Sequence, residues 1–159
     1  MKRIFSPWRH AYVTEGVKAP GCVLCRAQEA GESAKLVVHV GERNFVVMNL
    51  YPYNSGHVMV APKRHVGSLA DATGEELAEM MVLARRLEAI YREVYMPDGI
   101  NIGMNLGRSA GAGVADHIHL HVVPRWNGDT NFMTVLGDTR VIPEDPEKAC
   151  ARLRARFAP

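Results

Sequence analysis

Long hydrophobic runs are missing from this sequence. No segment approaches the roughly 18 consecutive apolar residues of a membrane-spanning helix. The basic beginning of the chain, MKRIFSPWRHAY, is not followed by the apolar stretch of about 7–15 residues that a secretory signal peptide contains. We therefore expect a cytoplasmic protein that has no membrane partner.

An excess of charge of one sign is also missing. The formal net charge is only +2 over 159 residues, which is too small and too scattered to predict binding to nucleic acid. The length suits one domain with a sizeable core. Hydrophobic residues make up 47% of the chain, as in ordinary globular proteins, so disorder is not expected.

Cysteine is scarce, with Cys22, Cys25 and Cys150 as the three examples. An odd number in a chain that we expect to be cytoplasmic argues against a disulfide framework. The Cys22-x-x-Cys25 spacing is half of a zinc site or a redox pair, and two reduced, packed cysteines are the alternative. Cys150 is predicted to be buried on a C-terminal helix.

The order of apolar segments predicts an α+β fold, an antiparallel sheet of about five strands with helices on one face. Residues 1–20 form an N-terminal arm, and residues 21–159 form a single domain. The predicted strands are Leu36–Val40, Phe45–Leu50, His57–Ala61, Ile100–Asn105 and His117–Val123.

One long helix is predicted over Gly74–Met96, where apolar residues recur at helical spacing. Thr73 and Glu76 have the spacing of a capping box, and Pro97 ends the pattern. A C-terminal helix is expected over Glu144–Phe157. Cys22–Ala30 is predicted to be a short helix or a turn.

The pattern His117-x-His119-x-His121 carries the chief chemical signal. On a strand, alternate residues share one face, so the three imidazoles would lie about 6–7 Å apart while the apolar residues between them enter the core. Such a row could be catalytic, a metal site or a solvent-exposed face. The motif alone does not choose between catalysis and metal binding.

Two neighbouring features favour catalysis. The loop Asn105–Gly113 is rich in glycine, which allows backbone N–H groups to converge on a phosphate, although a flexible connection is the simpler interpretation of the loop alone. His57 opens another predicted strand. It is either a satisfied, partly buried histidine or a partner that fixes the tautomer of a triad imidazole.

The histidine motif, followed by two apolar residues, resembles the signature of the histidine-triad (HIT) superfamily. The segments Phe45-Val-Val-Met-Asn-Leu-Tyr-Pro and Gly56-His57-Val-Met-Val-Ala-Pro62-Lys-Arg-His65 are similar to the family's nucleoside-binding region. Four separated segments match in order, and the resemblance covers the chain from about Cys22 to Pro143.

The resemblance implies nucleotidyl transfer. His119 would be the nucleophile, attacking an α-phosphate to form a nucleotidyl-histidine intermediate that water or another acceptor resolves. His121 and His57 would bind phosphate oxygens and relay orientation. This chemistry needs an unprotonated nitrogen on His119 whose other nitrogen donates to a fixed acceptor. No organic cofactor is implied.

The resemblance also assigns binding residues. Asn49 matches the position that contacts the ribose hydroxyls, and the segment from Asn105 through Gly111, Ala112 and Gly113 matches the phosphate-binding loop. Many family members have a serine near Gly113, thought to assist the leaving group, and this sequence lacks it there. The loop is also one residue longer than in the small nucleoside phosphoramidase branch.

The segment Pro124–Met133 is similar to bacterial diadenosine tetraphosphate phosphorylases and hydrolases of the superfamily. Trp126 would then lie near the second phosphate group or base, and a core or interface tryptophan is the alternative. Some bacterial members bind a structural zinc ion. The corresponding ligands here are Cys22, Cys25, His65 and His117. Family members usually form symmetric dimers, so the resemblance implies a homodimer.

The expected function is cleavage of dinucleoside polyphosphates such as diadenosine tetraphosphate, by hydrolysis or phosphorolysis. Cleavage of nucleoside phosphoramidates or adenylyl conjugates is an alternative within the enzyme class. A nucleotide-binding signalling protein with little turnover and a zinc-binding structural module are alternatives outside it. The complete triad favours an enzyme, since a binding protein needs no positioned nucleophile.

Overall fold

The computed structural model describes residues 21–31, 34–130 and 144–157. The predicted N-terminal arm, residues 1–20, therefore lies outside the described residues, as does most of the segment after the histidine motif, residues 131–143. None of the described helices has the length and apolarity needed to cross a membrane.

Three helices and five strands make up the described part of the chain, which confirms the predicted α+β class. The helices are α1 (Val23–Ala30), α2 (Gly74–Val94) and α3 (Pro146–Phe157), and the strands are β1 (Val37–Val40), β2 (Asn44–Met48), β3 (Val58–Pro62), β4 (Gly99–Met104) and β5 (Leu120–Arg125). All neighbouring strands are antiparallel, in the order β1-β2-β3-β5-β4.

The central strands are valine-rich because both of their faces are covered. Every residue of β2 is buried. One face packs against α2 and α3 in the larger core, where Val46 and Val60 meet Leu87 and Leu153. The opposite face packs against α1 in a smaller core around Phe45, so the prediction that the helices lie on one face is wrong for α1. α1 is thereby fixed to the sheet beside the histidine motif.

Helix α2 begins with the predicted capping box. The Thr73 hydroxyl accepts from the Glu76 N–H at 3.2 Å, and the Glu76 carboxylate accepts from the Thr73 N–H at 2.7 Å. The helix ends at Val94, two residues before the predicted end at Met96. Met96 has a φ of 45°, outside the helical region, and Pro97 follows with no N–H to continue the ladder.

Other element boundaries differ from the predictions by one or two residues, but one difference affects the site. Strand β5 begins at Leu120, so the predicted start at His117 is wrong. The neighbouring strand β3 ends at Pro62, and the Ile118 N–H donates instead to the Val66 carbonyl at 2.7 Å. The first two histidines of the motif, His117 and His119, therefore lie outside the sheet's ladder.

Candidate active site and metal centre

His57 and His121 are joined side chain to side chain across β3 and β5. The Tyr53 N–H donates to His57 Nδ1 at 3.0 Å, so Nδ1 carries no proton and the proton of the neutral ring lies on Nε2. His57 Nε2 lies 2.9 Å from His121 Nδ1 and donates to it. This contact in turn places the proton of His121 on its Nε2.

Both imidazoles of this pair are held neutral. Burial is the main cause that lowers the pKa of His57 to about 3, and the neighbouring His121 and His119 lower it further. Burial also lowers the pKa of His121 to about 4, with His119 as the second cause. At neutral pH the pair therefore keeps the alternating donor and acceptor pattern that the hydrogen bonds require.

His119 has its tautomer fixed by the backbone. Its Nδ1 lies 2.9 Å from the His117 carbonyl oxygen, which can only accept, so Nδ1 carries the proton and Nε2 keeps its lone pair. The His119 ring centroid is 4.8 Å from that of His121. A nucleophilic nitrogen and the Nε2–H donor of His121 thus lie on adjacent rings. This arrangement can attack a phosphorus atom and donate to one of its oxygens.

His117, the remaining histidine of the motif, belongs to a different cluster. Its Nδ1 lies 3.4 Å from Cys22 Sγ and 3.6 Å from Cys25 Sγ. His65 Nδ1 lies 3.3 Å from Cys25 Sγ. These four ligand atoms all lie within 4.8 Å of one another, so the structure assembles the four predicted metal ligands from α1, the segment after β3 and the segment before β5.

The cluster has the ligand types of a zinc site, and three of its S···N separations, 3.3–3.6 Å, are close to those around a bound ion. Bond lengths of about 2.3 Å to sulfur and 2.0–2.1 Å to nitrogen in a tetrahedron separate S and N by about 3.5 Å. His117 Nε2 donates to the Pro62 carbonyl at 2.9 Å, which leaves Nδ1 able to bind a cation. His65 Nε2 lies 3.9 Å from the exposed Asp116 carboxylate, beyond hydrogen-bonding distance.

The predicted phosphate loop adopts a compact turn. Arg108–Ala110 form one turn of 3-10 helix, and Gly107 and Gly111 have φ values of 81° and 89°, which favour glycine. The N–H groups of Gly111 and Ala112 donate to loop carbonyls, those of Arg108 and Gly107, at 3.0 and 3.3 Å. Two of the N–H groups predicted to face a phosphate thus have partners within the loop.

Asn49 lies against the histidine pair. Its Nδ2 is 3.4 Å from His57 Nε2, and its Oδ1 accepts from the Tyr51 N–H at 2.9 Å. Trp126 lies elsewhere, with its Nε1–H donating to the Tyr95 carbonyl at 3.3 Å and its ring edge-on to Tyr95. Its predicted contact with substrate stays a prediction.

A cavity of about 270 Å³ adjoins the histidine pair. It lies over β4 and β5 and is bounded by Tyr53 and Asn54 from the turn before β3. His121 and Asn105 are the two predicted site residues that line it, and Trp126 is not among the lining residues.

Sequence reasoning missed the cluster that supports this cavity. The Asp129 carboxylate accepts from Arg125 Nε at 2.6 Å, Arg125 Nη2 at 2.8 Å and Asn54 Nδ2 at 2.7 Å. The Arg125 guanidinium holds the pKa of Asp129 well below its usual range. The spacing Arg-x-x-x-Asp directly after the motif was a signal, but only the turn after β5 brings Asn54 to it.

Tyr91 was also missed, because it looks like an ordinary core residue of α2. Its ring is fully buried, and its hydroxyl donates to the Gly56 carbonyl at 2.6 Å. Gly56 has a φ of 74° and immediately precedes His57. A hydrogen bond therefore joins α2 to Gly56, the residue immediately before His57.

The fold and site define an antiparallel α+β protein with a buried histidine cluster beside a four-ligand cysteine and histidine centre. Residues 30–128 match the family model described as the HIT domain. The chain belongs to the HIT domain family, which confirms the resemblance found in the sequence.

Two relatives and one solved structure illustrate the similarity. The chain is 41% identical over 152 residues to a Mycobacterium tuberculosis protein named AP-4-A phosphorylase, covering 91% of this chain and 78% of that one. It is 38% identical over 84 residues to the bis(5'-adenosyl)-triphosphatase of Dictyostelium discoideum, covering 53% of this chain and 56% of that one. A Zn-bound histidine triad family protein from Mycobacterium smegmatis superposes with a TM-score of 0.71 at 35% identity, covering 87% of this chain and 94% of that chain.

Proposed function

We propose that this protein is an enzyme that cleaves the phosphoanhydride bonds of dinucleoside polyphosphates, with diadenosine tetraphosphate as a substrate. The observation that carries the proposal is the fixed tautomer of His119, whose Nε2 lone pair lies beside the Nε2–H donor of His121. The similarity to proteins named AP-4-A phosphorylase and bis(5'-adenosyl)-triphosphatase supports the substrate class.

The first step forms a bond between His119 Nε2 and the α-phosphorus and breaks the bond from that phosphorus to its bridging oxygen. The departing nucleotide leaves with the electron pair of the broken bond. The His119 Nδ1–H, held by the His117 carbonyl, stabilises the positive charge that develops on the ring. His121 donates its Nε2–H to a phosphate oxygen, with its orientation set by His57.

The second step is attack on the nucleotidyl-histidine by an acceptor, water or orthophosphate. The P–N bond breaks and the neutral imidazole is regenerated. Orthophosphate gives ADP, and water gives AMP. Asn49 would contact the ribose hydroxyls, and Asn105 and the loop to Gly113 would contact the phosphates. Trp126 would lie near the second phosphate group or base.

The four-ligand centre is part of this proposal as a zinc site. Cys22, Cys25, His65 and His117 would supply two sulfur and two nitrogen ligands, a closed tetrahedral set with no position for water. The ion would be structural and would tie α1 to the ends of β3 and β5. No step of the reaction involves it.

We also propose a cytoplasmic homodimer. The three cysteines are free thiols, which suits a reducing compartment. Strand β4 is an edge of the sheet, and Ile102 on it and Leu106 after it are about half exposed. A second copy covering that edge would protect its backbone groups.

The test is a product assay with diadenosine tetraphosphate, with and without orthophosphate. ADP plus ATP that depends on orthophosphate would identify a phosphorylase, and AMP plus ATP without that dependence a hydrolase. We expect His119→Ala to abolish turnover, and His39→Ala, a histidine on β1 away from the site, to retain it. Turnover by His119→Ala equal to the wild type would refute the mechanism.

Absence of turnover by the wild-type protein would refute the substrate. Adenosine 5′-phosphoramidate and aminoacyl-adenylates would then be tested as substrates with the same pair of variants. Binding of AMP without turnover of any of these compounds would favour a nucleotide-binding protein.

A further inference from the structure

The cavity beside His121 lies on the face of the sheet that the histidine pair occupies. In the register of β4 and β5, Gly103 is opposite His121 and Asn101 is opposite Val123. Directly opposed residues of antiparallel strands share a face. All four of these residues line the cavity, so it continues from the reacting histidines along the same face.

The chemistry of the lining suits an uncharged, flat ligand. Its polar side chains include three amides, from Asn54, Asn101 and Asn105. Asn54 Nδ2 donates to Asp129 and to the Pro124 carbonyl, and Asn101 Oδ1 accepts from Arg125, so the Asn101 amide nitrogen and the Asn105 amide are the groups offered to a ligand. Arg125 is the one permanently charged side chain among the lining residues, and the Asp129 carboxylate compensates its charge at 2.6 and 2.8 Å. A polyphosphate would need uncompensated cations, whereas amides match the donors and acceptors of a nucleobase and of ribose hydroxyls.

Gly103 keeps the floor of the cavity open. It has an ordinary φ, and a Cβ placed on it would meet no atom within 4 Å. Glycine weakens the interior of a strand and often marks a place where a ligand approaches the backbone closely. A larger side chain at this position would therefore fill the cavity without straining the chain.

We infer that this cavity binds the nucleoside of the departing nucleotide, the half of the dinucleoside polyphosphate that His119 does not retain. The inference rests on the proposed function and adds a second nucleoside site to it. A volume of about 270 Å³ lies just below the range of about 300–1,000 Å³ typical of ligand pockets, which suits one nucleoside better than the whole substrate.

The test compares two substrates that differ only in the second nucleoside, diadenosine tetraphosphate and adenosine 5′-tetraphosphate. We expect wild-type kcat/KM to be about tenfold or more higher for the dinucleotide, since a well-bound group contributes at least that factor. Gly103→Val should remove this preference by lowering kcat/KM for the dinucleotide while leaving the mononucleotide within about twofold.

Gly99→Val is the matched control. Gly99 lies on the same strand and the same face as Gly103, opposite Arg125, and its Cβ would also meet no atom within 4 Å, but it does not line the cavity. We expect this variant to keep the wild-type preference. A preference unchanged in Gly103→Val, or equal losses for both substrates, would overturn the inference.

The two proposals fail differently. If the wild-type protein cleaves both substrates equally well, the second nucleoside site is refuted and the proposed function stands. If it cleaves neither, the proposed function itself fails.

Discussion

His57 Nε2 and His121 Nδ1 lie 2.9 Å apart, and the Tyr53 N–H on the far side of His57 fixes which nitrogen carries the proton. One backbone N–H thus determines the tautomers of two buried rings in succession. Protonation of either ring would place two donors face to face or leave a charge buried. The pair therefore favours neutral imidazole.

Because the pKa values of His57 and His121 are lowered in the folded protein, we expect a loss of stability in mild acid. The folded-state pKa values of His57 and His121, about 3 and about 4, lie below the ordinary value of 6.5, so the unfolded chain binds protons first as the pH falls. The free energy of unfolding is then constant above about pH 6.5 with respect to these groups. Below about pH 6.5 the free energy of unfolding decreases by up to about 1.4 kcal/mol per pH unit for each group. The decrease levels off near the folded-state pKa values.

Urea unfolding between pH 4 and pH 7 measures this dependence, and His57→Gln serves as the comparison. Because one titrating group is gone, the slope for His57→Gln should be smaller than the wild-type slope. Equal slopes in the two proteins would show that His57 does not titrate in this way.

Removing the Tyr91 hydroxyl should loosen the histidine pair. In Tyr91→Phe the Gly56 carbonyl loses its 2.6 Å donor, at a cost of about 1–2 kcal/mol in the free energy of unfolding. Because Gly56 immediately precedes His57, we also expect kcat to fall several-fold with little change in KM. Steady-state kinetics and urea unfolding measure the two effects.

Tyr95→Phe makes the same chemical change one turn further along α2. The Tyr95 hydroxyl donates to the Glu144 carboxylate at 2.6 Å, whereas the Tyr91 hydroxyl donates to the Gly56 carbonyl. Its kcat should stay near the wild-type value. Equal losses of kcat in both variants would mean that Tyr91 has no particular role in positioning His57.

We expect one zinc ion per chain in the purified protein, bound by the cluster of two cysteines and two histidines. Cys25→Ser should lose the metal, because the remaining ligands no longer form a complete sulfur and nitrogen set. Metal analysis by mass spectrometry checks this, and thermal unfolding should show a lower Tm on chelation. The prediction is judged by the metal content and the Tm, and not by the activity of the variant.

Two variants serve as controls for that measurement. Cys150→Ser changes a buried thiol that donates a hydrogen bond to the Val37 carbonyl, and His119→Ala changes the proposed nucleophile. Both should keep the metal. Loss of zinc in His119→Ala would support a metal-binding role for the whole triad and count against separate sites.

Glu79 is expected to hold the turn between β1 and β2. Its carboxylate accepts from the N–H groups of Glu42, Arg43 and Asn44 at 2.7–2.8 Å and from the Asn44 side chain at 2.8 Å. Burial acts to raise the pKa of Glu79, but these donors outweigh it and leave the pKa lowered. Glu79→Gln should lower the free energy of unfolding by about 2–3 kcal/mol at pH 7.

The comparison for Glu79 is Glu88→Gln. Glu88 forms an exposed ion pair with Arg92 on the same helix, and such pairs contribute little. Its expected cost is below about 0.5 kcal/mol in the same urea titration. If both variants cost equally little, the hydrogen bonds of Glu79 do not stabilise the turn.

The sequence alone determined the class of the fold and the four residues of the cysteine and histidine cluster. Apolar, valine-rich segments separated by turn residues predicted five strands, because short apolar runs bounded by turns are typical of buried strands. The capping box of Thr73 and Glu76 and the proline at position 97 fixed α2 to within two residues. The spacing His-x-His-x-His and the flanking segments indicated the family to which the chain belongs.

Only the tertiary structure decided how those residues are used. His117 lies before the start of β5 and joins the cysteine cluster, while His119 lies beside His121, which is hydrogen-bonded to His57. The tautomers depend on a carbonyl and an N–H that no side-chain pattern encodes. The cavity opposite His121 depends on the register of two strands distant in sequence. Such features arise from long-range contacts, so local sequence does not specify them.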